Sequence, residues 1–361
     1  MVYKKYDLPQ RYISAFDTET GEYMRTGILD KAGKDSGIDP FMASFPELID
    51  VGVMGHCIHG ANGLCIKSGV QCYQNGLQTH HPNMTLENFK RIVDECKGKT
   101  FQFALGGRGD VDQHENFADL LSYCRENGIV PNFTTSGLGL TEQSVQLCKK
   151  YCGAVAVSWY RQMHTHHAIN LLLEAGVKTN IHYVLGTHTI REAIYRLRNN
   201  DFPKGINAVV FLLHKPVGLG TKGNVLDIHD PAVREFFFIV DTTHFDFKVG
   251  FDSCSIPAIL NMTANIEPES IDTCEGGRFS MYITSDMKAL PCSFDNQDMR
   301  WAYDISNDTI QNAWNSTQFE SFRNHFRTAC PDCADRASCM GGCPIRPQIV
   351  LCNRPEKEVI L

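Results

Sequence analysis

Between residues 48 and 252 the chain alternates short apolar runs with amphipathic helical stretches, and this alternation leaves few folds open: repeated βα units around a parallel sheet. The runs Leu48 to Val53, Phe101 to Leu105, Ile129 to Thr134, Ala154 to Trp159, Thr179 to Leu185, Ala208 to Leu213 and Phe247 to Phe251 read as strands. Between them the helical period appears: Leu86, Phe89, Ile92, Val93 and Cys96 share one face behind Thr85, and Phe117, Leu120, Leu121 and Cys124 share another before Gly128. Six or seven strands fall short of a closed eight-stranded barrel of about 250 residues. The expected class is therefore α/β, a partial (β/α)6 TIM-like barrel with its chemistry at the carboxyl ends of the strands. Beyond residue 255 the pattern breaks into a Cys-rich stretch with one helix from about Asp308 to His325, expected to be held by metal more than by a large core. Three units follow: an extension over 1–45 with no assignable role, the barrel over 46–255, and a Cys-rich domain over 256–361.

Fifteen cysteines are too many for an ordinary intracellular enzyme and too few for a small disulfide scaffold. Lys4 and Lys5 have no apolar stretch behind them, so the amino terminus is not a secretory signal, and no apolar run approaches the roughly 20 residues that span a bilayer. The expected location is cytoplasmic, where reduced thiols bind metal or catalyse. Cys96, Cys124, Cys148 and Cys152 lie on helix faces and read as packing residues. With 34 basic against 41 acidic side chains and a net charge of -7, nothing draws the chain to nucleic acid or an anionic membrane.

The carboxyl-terminal cysteines do need a chemistry. Cys330, Cys333, Cys339 and Cys343 form C-x2-C-x5-C-x3-C, with Cys352 after them and Cys274 and Cys292 before. Soft thiolates so spaced hold zinc or iron-sulfur clusters, and spacing alone does not separate the two. The order of these residues, with Pro291 before Cys292 and a Trp314-containing stretch from Ile310 to Phe322, resembles the SPASM domain appended to one group of radical S-adenosylmethionine (SAM) enzymes. One departure is Met287, where that family usually has Gly. The resemblance implies two auxiliary 4Fe-4S clusters, one on Cys274, Cys292 and Cys343 and one on Cys330, Cys333, Cys339 and Cys352. The first then lacks one ligand.

The same resemblance implies a catalytic 4Fe-4S cluster at the end of the first barrel strand. Leu48 to Val53 runs into Gly55-His56-Cys57, followed by Cys65 and Cys72-Tyr73. The spacing is C-x7-C-x6-C, where the family usually has C-x3-C-x2-C. Three ligands leave one iron for the amino and carboxylate groups of SAM, whose cleavage in the family gives a 5'-deoxyadenosyl radical. Gly106-Gly107-Arg108-Gly109-Asp110, with His114 after it, stands where the family places a Gly-Gly-Glu-Pro segment that binds the SAM ammonium, and Asp110 is the carboxylate for that task. Thr135 and Ser136 resemble part of a further SAM-binding turn, and Gly218 lies in another, Pro216 to Gly220. Ser158, Asn180 and His182 at strand ends are candidates for ribose or substrate. Cys254, past the last strand, has three readings: a packed thiol, the missing ligand, or a catalytic hydrogen donor to a substrate radical.

What the resemblance implies is a maturase that modifies a ribosomally made peptide by cross-linking, epimerisation or backbone excision. Too few residues precede the barrel for the leader-recognition domain of some relatives, which implies a separate leader-peptide-binding protein or direct reading by residues 1–45. The reductant would be a flavodoxin or ferredoxin. Alternatives are modification of a folded protein side chain, as in sulfatase maturation, or of a small molecule. A non-catalytic, metal-stabilised binding module would leave the Cys57 loop and the Gly106 turn without a purpose.

Overall fold

The computed structural model describes residues 1–60, 63–69, 71–78, 80–267 and 270–353; the last eight residues of the Cys-rich unit as drawn from sequence lie outside it. The chain begins with three antiparallel strands, β1 (Val2–Asp7), β2 (Tyr12–Asp17) and β3 (Tyr23–Arg25). Seven parallel strands follow: β4 (Leu48–Met54), β5 (Gln102–Gly107), β6 (Val130–Thr135), β7 (Val155–Ser158), β8 (Thr179–Leu185), β9 (Ala208–Leu213) and β10 (Lys248–Phe251). A long helix separates each from the next, Leu86–Cys96, Phe117–Glu126, Glu142–Tyr151, Met163–Glu174, Ile190–Asn199 and Pro231–Thr242, which makes six βα repeats and a seventh strand. Thr85, Thr141 and Asp230 start three of these helices by accepting backbone N–H bonds of the first turn. Phe89, Ile92, Val93 and Cys96 are buried as a single face, at about 1.5–3 kcal/mol for each large apolar side chain.

Alternation along the strands decides what lines the barrel. Ile49, Val51, Phe103, Phe133, Val155, Val157, Ile181 and Val209 are buried under the helices, whereas Asp50, Asn132, Thr134, Ser158, Asn180 and His182 are partly exposed on the other face. The lumen is therefore polar. His182 Nδ1 lies 3.2 Å from Thr134 Oγ1, and burial pushes the imidazole pKa down to about 4, so it is neutral.

The Cys-rich region is not set apart by a break in the core. Strands β11 (Ser280–Ile283), β12 (Lys288–Leu290) and β13 (Tyr303–Asp304) extend the barrel sheet, β11 pairing parallel to β4 with Tyr282 opposite Asp50. Met281, Ile283, Trp314 and Phe319 pack in the same core as the barrel strands. One expected helix is two, Ile310–Trp314 and Thr317–Thr328, because Thr309 and Ser316 each cap a separate start. Met287, at the position where Gly was expected, keeps the left-handed turn at φ 64° while its side chain is buried.

Residues 1–45, given no role from sequence, brace the amino-terminal ends of the barrel strands. Glu47, just before β4 and 3% exposed, accepts from Tyr12 Oη at 3.0 Å and Ser14 Oγ at 2.7 Å, and pairs with Lys5 Nζ at 2.9 Å. Phe16 stacks on Phe101 before β5, and Lys178 before β8 donates to Glu19 and Thr20 carbonyls. Arg25 reaches the other way, to Asp272 at 2.6 Å beside Cys274.

Candidate active site

β4 ends in the cysteine loop, where Cys65 sits on the short helix Leu64–Lys67. The Cys65 and Cys72 thiols lie close to each other, and Cys57 is near enough to act on Cys65 electrostatically. Backbone N–H groups of His59 and Gly60 point at the Cys57 sulfur, and those of Gln74, Asn75 and Gly76 at that of Cys72. The neighbouring Cys65 thiol and these N–H groups, against burial, lower the Cys72 pKa below the usual thiol range, while Cys65 is pushed up. Tyr160, which sequence did not single out, places its hydroxyl 3.2 Å from Cys65 Sγ; an aromatic residue directly after a strand end was its only signal.

Among the described residues no three His, Cys, Asp or Glu side chains converge tightly enough for a single metal ion. A four-iron cluster asks for a different arrangement, because each thiolate binds its own corner iron and the sulfurs ring the cluster. Three thiols on one loop, with N–H groups directed at sulfur, fit that donor set.

Beyond β5 the glycine turn lies against this loop. Gly107 has φ 114°, and a Cβ there would stand 2.4 Å from the Met54 carbonyl oxygen, so only glycine lets β5 approach the end of β4. Gly106 has open space around it. Asp110 accepts from the Ser136 backbone N–H at 2.8 Å and from the Ser136 hydroxyl, which ties the β5 turn to the end of β6. His59 Nε2 lies 3.0 Å from Asp110 Oδ2, off the line of a good hydrogen bond. Thr135 is fully buried and accepts from the Gly137 N–H at 3.0 Å, so it shapes the turn. His114 is also structural: Nδ1 accepts from the Asn116 N–H and Nε2 faces the Met84 carbonyl at 3.2 Å.

The turn after β9 closes over the same loop. A Cβ on Gly218 would meet the Tyr73 carbonyl at 2.5 Å, and the Leu219 N–H donates to the Cys72 carbonyl at 2.9 Å. Ser158 faces the lumen opposite His182 in register and has no side-chain partner among the described residues. Asn180 accepts from Asn207, a structural bond at the far end of β8.

The other thiols form two groups. Cys254 lies close to Cys343, and Cys274 and Cys292 feel Cys254 electrostatically, so four thiols share one neighbourhood. Cys339 lies near Cys330 and Cys352, while the Cys333 sulfur accepts from the Asp335 N–H at 3.2 Å. Between the first group and the Cys57–Cys72 loop, Tyr73 packs on Phe294 with ring centroids 4.7 Å apart. Lys215, 4% exposed, stands over Phe294 and pairs with Asp252, whose carboxylate also accepts from the Leu213 N–H and the Ser255 hydroxyl. No helix among the described residues is long and apolar enough to cross a membrane.

Residues 274–339 match the SPASM family, an iron-sulfur cluster-binding domain. No curated protein matches the chain in sequence. Among solved structures, SuiB from Streptococcus suis bound to precursor peptide SuiA is 13% identical over 98% of each chain, with a TM-score of 0.68. SuiB bound to S-adenosylmethionine is 15% identical over 87% of this chain and 78% of that one, at 0.64. Native anSMEcpe with bound AdoMet is 18% identical over 82% of this chain and 89% of that one, at 0.59. With its open parallel barrel, its cysteine loop at the end of β4 and its matched carboxyl-terminal region, the chain has the fold of a radical SAM partial barrel that carries a SPASM domain.

Proposed function

We propose that the chain is a radical SAM maturase that modifies a ribosomally made peptide, and that Cys57, Cys65 and Cys72 hold its catalytic cluster. The observation that carries the reading is the convergence of these three thiols, the Gly106–Asp110 turn and the Gly218 turn at the carboxyl ends of β4, β5 and β9. The likeness over nearly the full chain to a protein solved with a precursor peptide supports a peptide substrate. When bound, cluster and SAM supply the radical chemistry. The protein's part is placement: the backbone N–H groups stabilise the thiolates, the two glycine turns let backbone approach the loop, and the polar lumen receives the substrate.

In this reading Asp110, held by Ser136, takes the SAM ammonium, and Thr135, Gly106, Gly107, Gly218 and Ser158 shape the surrounding pocket. Cys254 completes the first auxiliary cluster with Cys274, Cys292 and Cys343, because its thiol lies against that of Cys343. Cys330, Cys333, Cys339 and Cys352 hold the second. A flavodoxin or ferredoxin delivers the electron.

Anaerobic reconstitution tests the reading: about 12 irons per chain from three four-iron clusters, with 5'-deoxyadenosine released when SAM and dithionite are added. An iron count near four with no 5'-deoxyadenosine would remove it. Asp110→Asn keeps the shape and loses the charge; SAM affinity in calorimetry is expected to fall by about 1.5–3 kcal/mol, roughly ten- to hundredfold. Unchanged affinity would move the ammonium site elsewhere.

A further inference from the structure

The Cys57–Cys72 loop is built without a core of its own. No described residue between 57 and 78 belongs to an apolar cluster, and the helix Leu64–Lys67 is one turn long. Such a segment is ordered by contacts at its edges, because little apolar burial inside it offsets the entropy of fixing the chain. Tyr160 and Arg161 hold its middle, the latter donating from Nη1 to the Ser68 carbonyl at 3.2 Å. Residues 71–74 are held by two turns. In the turn after β9, the Thr221 N–H donates to Gln71 Oε1 at 2.9 Å and the Leu219 N–H donates to the Cys72 carbonyl. The other turn belongs to the Cys-rich region.

That turn follows Cys292. Tyr73 packs on Phe294, and the Asn296 side-chain amide donates to Gln74 Oε1. Gln74 and Asn296 are each 3% exposed, so few waters compete for the bond. Neighbours of one cysteine thus hold neighbours of another, Tyr73 and Gln74 behind Cys72 against Phe294 and Asn296 behind Cys292. The two sides are unequally firm. Asn296 is oriented a second time by Gln297, which donates to its Oδ1 at 3.1 Å, and the fully buried Asp295 accepts from the N–H groups of Arg300 and Trp301 at 3.2 and 3.0 Å. Trp301 in turn packs on Phe322, ring centroids 5.2 Å apart, inside an apolar cluster of the Cys-rich region. The Cys292 turn is therefore fixed from behind, and the loop leans on it.

We propose that Phe294 and Asn296 are positioning residues for the Cys57–Cys72 loop: acting through Tyr73 and Gln74, they keep its third thiol placed for the cluster and so sustain the affinity for SAM. The proposal rests on the reading of that loop as the catalytic cluster's site. It adds a dependence of the catalytic centre on a region otherwise assigned to the auxiliary clusters, exerted by side chains that ligate nothing. Its direction follows from the unequal firmness: breaking the seam loosens the loop and leaves the Cys292 turn in place.

Iron release from the reconstituted protein to a chelator, followed beside calorimetric SAM binding, tests it. Phe294→Leu keeps apolar bulk and removes the ring; four of about 12 irons are expected to leave about two- to tenfold faster, with SAM bound more weakly by a similar factor. Tyr73→Phe keeps the ring and should behave as the unaltered protein. Tyr73→Leu and the Tyr73→Leu/Phe294→Leu double variant should match Phe294→Leu, because the same contact is lost in all three; Tyr73→Leu carries the test where Phe294→Leu does not fold. With Cys57, Cys65 and Cys72 replaced by Ala, Phe294→Leu should leave release of the remaining irons unchanged. Unaltered release and SAM affinity in the Leu variants, additive effects in the double variant, or faster release from the triple-Ala protein would each overturn the proposal, the last by placing the effect in the Cys292 site itself. An unaltered protein that neither holds about 12 irons nor forms 5'-deoxyadenosine would instead remove the parent reading.

Discussion

Replacing Cys57, Cys65 and Cys72 together by Ala abolishes 5'-deoxyadenosine formation and leaves about eight of about 12 irons per chain, those of the two auxiliary clusters. In the proposed reading the effect is all-or-none, because SAM is cleaved only where one iron lacks a protein ligand, and the three thiols of the loop after β4 would leave one free. The fold should survive the change: all three cysteines are partly exposed, and none belongs to the apolar core that joins sheet and helices. Iron analysis and chromatography of the SAM products read the two arms independently. Persisting cleavage would refute the long-spaced motif, and a fall to about four irons would show that a second cluster leans on the same loop.

The second large effect is on stability. Lys215→Met is expected to lose about 3–5 kcal/mol, because it strands the Asp252 carboxylate in a place that few waters reach. Burial by itself would push the Lys215 pKa down, but the facing carboxylate more than offsets it, so the pair is ionic. Met keeps the length and apolar stem of Lys and isolates the charge as the variable. Lys215→Met combined with Asp252→Asn should recover most of the loss, since the amide oxygen can still accept from the Leu213 N–H while the amide NH2 donates to the Ser255 hydroxyl oxygen. Denaturant midpoints of the reconstituted variants decide it. A single-variant loss under about 1 kcal/mol, or a double variant no better than the single, would show that the pair is not a stabilising unit.

Most of the barrel was legible because each parallel strand is buried by helices on one face and dense in Val, Ile, Leu and Phe, so its run stands out from the polar turns around it. The strands over 179–185 and 208–213 match residue for residue. The amino-terminal sheet was not legible because only one of its strands alternates clearly: Tyr12, Ser14 and Phe16 point inward on β2, while β1 is mostly exposed and β3 is three residues long. The two-helix stretch over 310–328 was read as one because the period continues through Asn315 and Ser316, and a hydroxyl that restarts a helix looks like any surface serine.

For the site, residue types and order pointed to thiolate chemistry, and the glycines marked close approaches. What sequence cannot carry is distance between segments. Cys254 and Cys343 are 89 positions apart yet lie close together, and Asp110 and Ser136, 26 apart, hydrogen-bond. Tyr160 and Lys215 were passed over because an aromatic residue after a strand and a lysine in a loop are commonplace, and only the packed structure reveals that one faces Cys65 and the other is enclosed.

The pairing of β11 with β4 has a consequence for how such a chain can be handled and how it can change over generations. β4 runs into the Cys57–Cys72 loop, and one of its two hydrogen-bonding edges is covered by the first strand of the Cys-rich region. Cutting the chain near residue 255 would uncover a row of unpaired N–H and C=O groups on a largely apolar strand, the kind of edge on which foreign strands stack into aggregates. The barrel is thus poorly suited to exist alone, and loss of the carboxyl-terminal region by truncation would be met first as insolubility, before any question of catalysis arose.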